Sequence, residues 1–137
     1  MKLTIQSQET YVYTAGRDID HRLPSVVFVH GAANDHSVWA LQSRYFAYHG
    51  WNALAVDLPG HGASKGKPHA AVGAMADWIA ALLDELQIER AAIVGHSMGS
   101  LAALETAARY PQKISKLVMV GTAVPMAVSD TLLNAAV

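Results

Sequence analysis

Short apolar strands alternating with helical segments constrain the fold of this chain more than any other feature. Ser25-Val26-Val27-Phe28-Val29 is a continuous β-branched and aromatic run, the pattern of a strand buried on both faces. Residues 52–56 and 91–94 follow as further short strands, and 114–120 reads as one more buried strand. Between them, residues 37–49 carry Val38, Leu41, Tyr45, Phe46 and Tyr48 at helical spacing, with Gly50 as a stop. Residues 71–86 put Met75, Trp78, Ile79, Leu82, Leu83 and Leu86 on one inner face, and residues 97–109 form a third helix closed by Tyr110-Pro111. This alternation predicts an α/β fold: a mostly parallel sheet with right-handed crossovers and helices on both faces. Ahead of it, residues 2–6 and 10–14 alternate polar and apolar, which predicts an edge hairpin. Residues 16–24 and 57–68 are loops.

The composition fits. The 137 residues are 52% hydrophobic and only 15% charged, as a sheet covered on both faces requires, and suffice for one domain with a real core. A net charge of −1 favours neither nucleic acid nor an anionic membrane as partner. With no Cys, disulfides and thiolate metal sites are excluded, and the seven His residues show no metal-binding spacing such as His-Glu-x-x-His, so neither metal nor cofactor is expected. The first residues lack the apolar core of a signal peptide, and the longest apolar stretch, around Leu117 to Val128, is broken by Gly121, Thr122 and Pro125. A soluble cytoplasmic protein is expected.

The chemistry is concentrated in Gly95-His96-Ser97-Met98-Gly99, a Gly-x-Ser-x-Gly pentapeptide with a strand before it and a helix after it. In that context the serine stands at the tip of a tight strand-to-helix turn. Side chains at Gly95 and Gly99 would collide with neighbouring backbone, and the helix points its free N–H groups at the site where an anion develops.

Three motifs in order complete the pattern: His30-Gly31 after a buried strand, with Trp39 a helical entry later; Asp57-Leu58-Pro59-Gly60-His61-Gly62 after the next strand; and the pentapeptide itself. Together they resemble the N-terminal half of the α/β-hydrolase family, over nearly the whole chain. The resemblance implies Ser97 as nucleophile, with the N–H groups of Met98 and Ala32 as oxyanion-hole donors. His30, Gly31, Gly95, His96 and Gly99 support the motif. His30 is expected to anchor its loop by hydrogen bonds, Asp57 and His61 to belong to a structural turn, and His96 to point away from the Ser97 side. Trp39 and Trp78 are expected in the core, and Lys65 and Lys67 in solvent.

A serine nucleophile needs a base, and the family order is Ser, acid, His. Here no His follows His96, and the only later acids are Glu105, expected to face away from the elbow, and Asp130, which opens a segment resembling the start of a lid helix. The expected layout is therefore residues 1–127 as the N-terminal part of the core domain, truncated after about the sixth strand, and 128–137 as the start of a lid. The chain is expected to be a fragment, inactive alone, that self-associates as a homodimer or aggregate, or stays with the missing C-terminal part, through its exposed last strand. The expected function is a serine hydrolase acting on a small ester or related carbonyl substrate. The alternatives are a lyase or perhydrolase on the same fold, or a non-catalytic hydrolase-like binding module.

Overall fold

The computed structural model describes residues 1–127 and 130–135. Six strands form one sheet: β1 (Lys2–Ile5), β2 (Gln8–Tyr13), β3 (Ser25–Val29), β4 (Asn52–Val56), β5 (Ala91–His96) and β6 (Ile114–Val120). Their order is β1-β2-β4-β3-β5-β6. The β1–β2 hairpin is antiparallel and joins β4 antiparallel, whereas β4, β3, β5 and β6 run parallel. β3 and β4 are buried at every residue, as a parallel strand covered on both faces must be.

Helices cover the two faces. α2 (Val72–Glu85) and α3 (Met98–Arg109) lie on one, where Met75, Trp78, Ile79, Leu82 and Leu83 pack with Val27, Leu54, Ile93, Ala102 and Ala103 in the main core. The stripe expected on the inner face of α2 is the stripe found there. α1 (Ala40–Tyr48), entered through a 3-10 turn at His36–Trp39, covers the other face over a smaller core of Val26, Phe28, Trp39, Ala53, Ala55 and Ala92. Trp39 and Trp78 are both core residues.

Two expectations are corrected. Of the apolar residues spaced through 37–49 only Phe46 packs on the inner face of α1: Leu41 and Tyr48 are 77% and 78% exposed, and Val38 and Tyr45 also face solvent. Ser43 and Ala47 are buried instead. Small residues let the helix sit close to the sheet, and Ser43 Oγ satisfies itself on the Trp39 carbonyl at 2.8 Å. Nor is β6 buried. Only Ile114 is, because β6 is the outer strand and neither Val118 nor Val120 is covered on the α1 side. A last helix, α4 (Asp130–Ala135), begins at an exposed Asp130. The segment assigned to a lid falls partly on residues 128, 129, 136 and 137, outside the described residues.

Candidate active site

The chain runs from β3 to β4 on one side and returns to β5 on the other, so β3 is where the strand order reverses. In open parallel sheets, ligands bind beyond the carboxyl ends of the strands at that reversal. The loops that leave β3 and β5 there carry His30-Gly31-Ala32 and Gly95–Gly99.

Ser97 has φ 53° and ψ −121°, a left-handed conformation that costs a non-glycine residue about 1–3 kcal/mol. It persists because its surroundings over-determine it. A Cβ on Gly95 would run into the carbonyl of Gly99, and one on Gly99 into the carbonyls of Val29 and His30, so strand, turn and helix close up only with glycine at both positions. The Ser97 N–H donates to the Val120 carbonyl at 2.9 Å, extending the β5–β6 ladder by one residue. Its carbonyl accepts from the Ser100 N–H at 2.9 Å and from Ser100 Oγ at 2.5 Å.

Met98 is the first residue of α3, so its N–H has no acceptor within the helix. Gly31 lies against the elbow: a Cβ placed there would stand 3.2 Å from Ser97 Cβ. The structure thus brings Gly31, Ser97 and the N-terminus of α3 together, with Ala32 half-buried in the same loop. Among the described residues the one hydrogen-bond partner of Ser97 Oγ is a sulfur, Met126 Sδ at 3.9 Å. The hydroxyl has no hydrogen bond to a histidine or a carboxylate among these residues.

The nearby histidines are otherwise engaged. His30 is fully buried; its Nδ1 donates to the Gly31 carbonyl at 2.7 Å, and its Nε2 accepts the Leu58 N–H at 3.1 Å. Burial holds its pKa below the ordinary histidine value, which suits a neutral ring with both nitrogens committed. His61 Nδ1 donates to the Pro59 carbonyl at 3.0 Å. His96, last in β5, sits on the α1 face, where it lines a cavity of about 200 Å³ with Val38, Trp39 and Val120. A larger cavity, about 470 Å³, opens at the amino ends of β3 and β5 between His21, Ser25 and Arg90, at the wrong end of the sheet for Ser97. Glu105 pairs with Arg109 at 2.6 Å, on the flank of α3.

Asp57, directly after β4, is fully buried. Its carboxylate accepts from the N–H groups of His36 at 2.7 Å and Ala63 at 2.8 Å, and from His36 Nδ1 at 2.9 Å. Its carbonyl accepts from Ser64 Oγ at 2.7 Å. Asp35, His36 and Asp57 each bring a ligand atom within 4.8 Å of the others. Asp35 caps the 3-10 turn by accepting the Ser37 N–H, and that bonding to Ser37 lowers its pKa. Both Asp57 oxygens and one Asp35 oxygen thus accept backbone N–H groups. His36 was not singled out from the sequence: only the folding of residue 36 against residue 57 gives it a role.

Comparison with known proteins agrees with this geometry. Residues 24–136 match the family described as alpha/beta hydrolase fold. An uncharacterized protein of Mycobacterium tuberculosis is 34% identical over 119 residues, 85% of this chain and 34% of that protein. The 2-hydroxy-6-oxononadienedioate/2-hydroxy-6-oxononatrienedioate hydrolase of Paraburkholderia phymatum is 38% identical over 104 residues, 71% of this chain and 35% of that enzyme. This chain spans about a third of the length of these curated relatives. A solved carboxylesterase of the thaumarchaeon Nitrososphaera gargenis superposes with a TM-score of 0.79 at 23% identity, covering 98% of this chain and 50% of that one. The reversal at β3, the strained serine between two glycines that cannot be replaced, and the match over residues 24–136 lead to one conclusion: the chain belongs to the α/β-hydrolase fold family.

Proposed function

We propose that Ser97 is the nucleophile of a serine hydrolase that acts on a small carboxylic ester or a ketone-type carbon–carbon substrate. The observation that carries this reading is the conformation of Ser97, a strained serine at a strand–helix junction whose hydroxyl is spent on no polar partner among the described residues. Strain of this kind is retained where it aims a side chain.

In this reading Ser97 Oγ adds to the carbonyl carbon as its proton passes to a base. The negative charge that develops on the carbonyl oxygen is held by the N–H groups of Met98 and Ala32. Collapse of the tetrahedral intermediate expels the leaving group, protonated by the same base, and leaves an acyl-enzyme that water hydrolyses. One such donor contributes about 3–4 kcal/mol to the barrier reduction. Both are backbone groups, so Ala32 and Met98 need no polar side chain.

The base is the part these residues do not supply. Among the described residues none of the seven histidines bonds to Ser97 Oγ: His30, His49 and His61 are bonded to nearby backbone carbonyls, His36 to Asp57, His21 lies at the amino ends of the strands, His96 lies on the α1 face, and His69 Nε2 is buried without a partner. Our reading therefore places the acid and the histidine of the triad outside residues 1–137, with these residues inactive alone and joined to that part along β6. The similar hydrolase of Paraburkholderia phymatum, whose named substrates carry an oxo group, supports including ketone-type substrates. No helix among the described residues is long and apolar enough to cross a membrane.

A fluorophosphonate probe tests the reading. The intact gene product is expected to gain one adduct, located at Ser97 by peptide mapping, and Ser97→Ala to gain none. An intact product that never labels would remove the nucleophile and favour a non-catalytic binding module. An intact mass equal to that of 137 residues would remove the external base.

A further inference from the structure

The peptide joining Ser97 to Met98 is one planar unit, with its C=O and N–H pointing in opposite directions. Whatever fixes the Ser97 carbonyl therefore also aims the Met98 N–H. That carbonyl receives more than the helix needs. The Ser100 N–H closes the first turn of α3 at 2.9 Å, and the Ser100 hydroxyl donates to the same oxygen at 2.5 Å. A serine bonding back within its own helix is a local event. The next link is not local: Thr122 Oγ1 donates to Ser100 Oγ at 2.7 Å. A hydroxyl has a single proton, so Ser100, having given its own to Ser97, is free to accept.

Thr122 follows β6 by two residues, and Val120, the last residue of β6, accepts the Ser97 N–H at 2.9 Å. The end of one strand thus grips the strained residue on both sides, directly at its N–H and through two hydroxyls at its C=O. Ser100 is fully buried and Thr122 half-buried, so water competes little for the chain.

We propose that Ser100 and Thr122 are positioning residues for the oxyanion hole. Their hydroxyls set the angle of the Ser97–Met98 peptide and, by polarising its carbonyl, strengthen the Met98 N–H as a donor, since hydrogen bonds in a chain reinforce one another away from water. The inference rests on the reading of Ser97 as nucleophile and of Met98 N–H as oxyanion donor.

The experiment uses the intact gene product, with p-nitrophenyl butyrate hydrolysis and fluorophosphonate labelling as readouts. Thr122→Val keeps the shape and removes the donor. It is expected to lower kcat and the labelling rate about 5–10-fold, the worth of one hydrogen bond felt in the transition state, with KM unchanged. Thr122→Ser restores both rates. Ser100→Ala lowers them by a similar factor, and the Ser100→Ala/Thr122→Val double variant is no slower than Ser100→Ala alone, because the two act through one chain. Wild-type kcat in Thr122→Val overturns the proposal. So does a loss that Thr122→Ser leaves unrestored, or independent, multiplying effects in the double variant. Should Thr122→Val not fold, wild-type kcat in Ser100→Ala overturns it equally. Ser97→Ala separates the layers: full activity there removes the nucleophile itself, whereas failure of the brace alone leaves Ser97→Ala inactive.

Discussion

Asp57 and Ser97 both follow a parallel strand at the same end of the sheet, with β3 lying between their strands. The Asp57 side chain is fully buried and accepts three hydrogen bonds from His36 and Ala63. Gly62 passes so close that a Cβ there would meet the Asp57 carboxylate. Among the described residues the Ser97 hydroxyl bonds only to one thioether, while its backbone is held out of the ordinary regions by three hydrogen bonds to two residues, Val120 and Ser100. In one loop the polar side chain holds the backbone. In the other the backbone holds the side chain and leaves its oxygen free. A buried acid with all its bonds spent is architecture, even where it tempts as a catalytic acid.

Substituting both residues separates the two roles most sharply. Ser97→Ala is expected to lower activity of the intact gene product by about 10⁴–10⁶-fold with the urea midpoint unchanged. Asp57→Ala is expected to cost about 3–5 kcal/mol of stability, because it removes a buried carboxylate and leaves the His36 and Ala63 donors without their acceptor. Parallel esterase assays and urea titrations read both. If Ser97→Ala destabilised as much as Asp57→Ala, the contrast would collapse.

How legible each region was follows from the same difference. The elbow could be read in sequence because its backbone demands glycine at two fixed positions, on either side of a serine. The α2 stripe could be read because six large side chains repeat at helical spacing over a buried face. α1 could not: its fully buried residues are Ser43 and Ala47, which carry almost no hydropathy signal, and beside the packed Phe46 the exposed Leu41 and Tyr48 advertise a face that is open. The partners that finish the site were also hidden. His36, Ser100, Thr122 and Met126 belong to no motif, and they matter only because folding brings them to residues 21 to 29 positions away.

His30 tests the comparison from between the two loops. Its Nδ1 holds Gly31, beside the elbow, and its Nε2 holds Leu58, beside Asp57. His30→Phe keeps a ring and removes both bonds, at an expected cost of about 1–3 kcal/mol for each group left unpaired. The pH dependence has a definite sign. Burial lowers the folded pKa below the ordinary 6.5, so above pH 6.5 neither state is protonated and stability is full. Below that value the unfolded chain takes up a proton that the folded chain refuses, and stability falls. The loss reaches at most about 2 kcal/mol by about pH 5. Burial lowers the pKa of His69 in the same direction, so the wild-type slope contains both residues. The difference in slope between wild type and His30→Phe isolates His30, and equal slopes would mean that its ring is protonated in the fold.

The smallest effect is expected inside the Asp57 loop itself. Lys65 and Lys67 are exposed, and the work at Lys65 is done by its main chain: its N–H donates to the Glu9 carbonyl at 2.8 Å and its carbonyl accepts the Gly60 N–H at 3.2 Å. Alanine preserves both bonds. Lys65→Ala and Lys67→Ala are each expected to change stability by no more than about 0.5 kcal/mol, with activity unaltered. A loss above about 1 kcal/mol in a urea titration would mean that one of these ammonium groups is held by the turn. In that case side-chain bonding in this loop would extend beyond Asp57, His36, His61 and Ser64, and the boundary drawn between its bonded centre and its solvated rim would have to move outward.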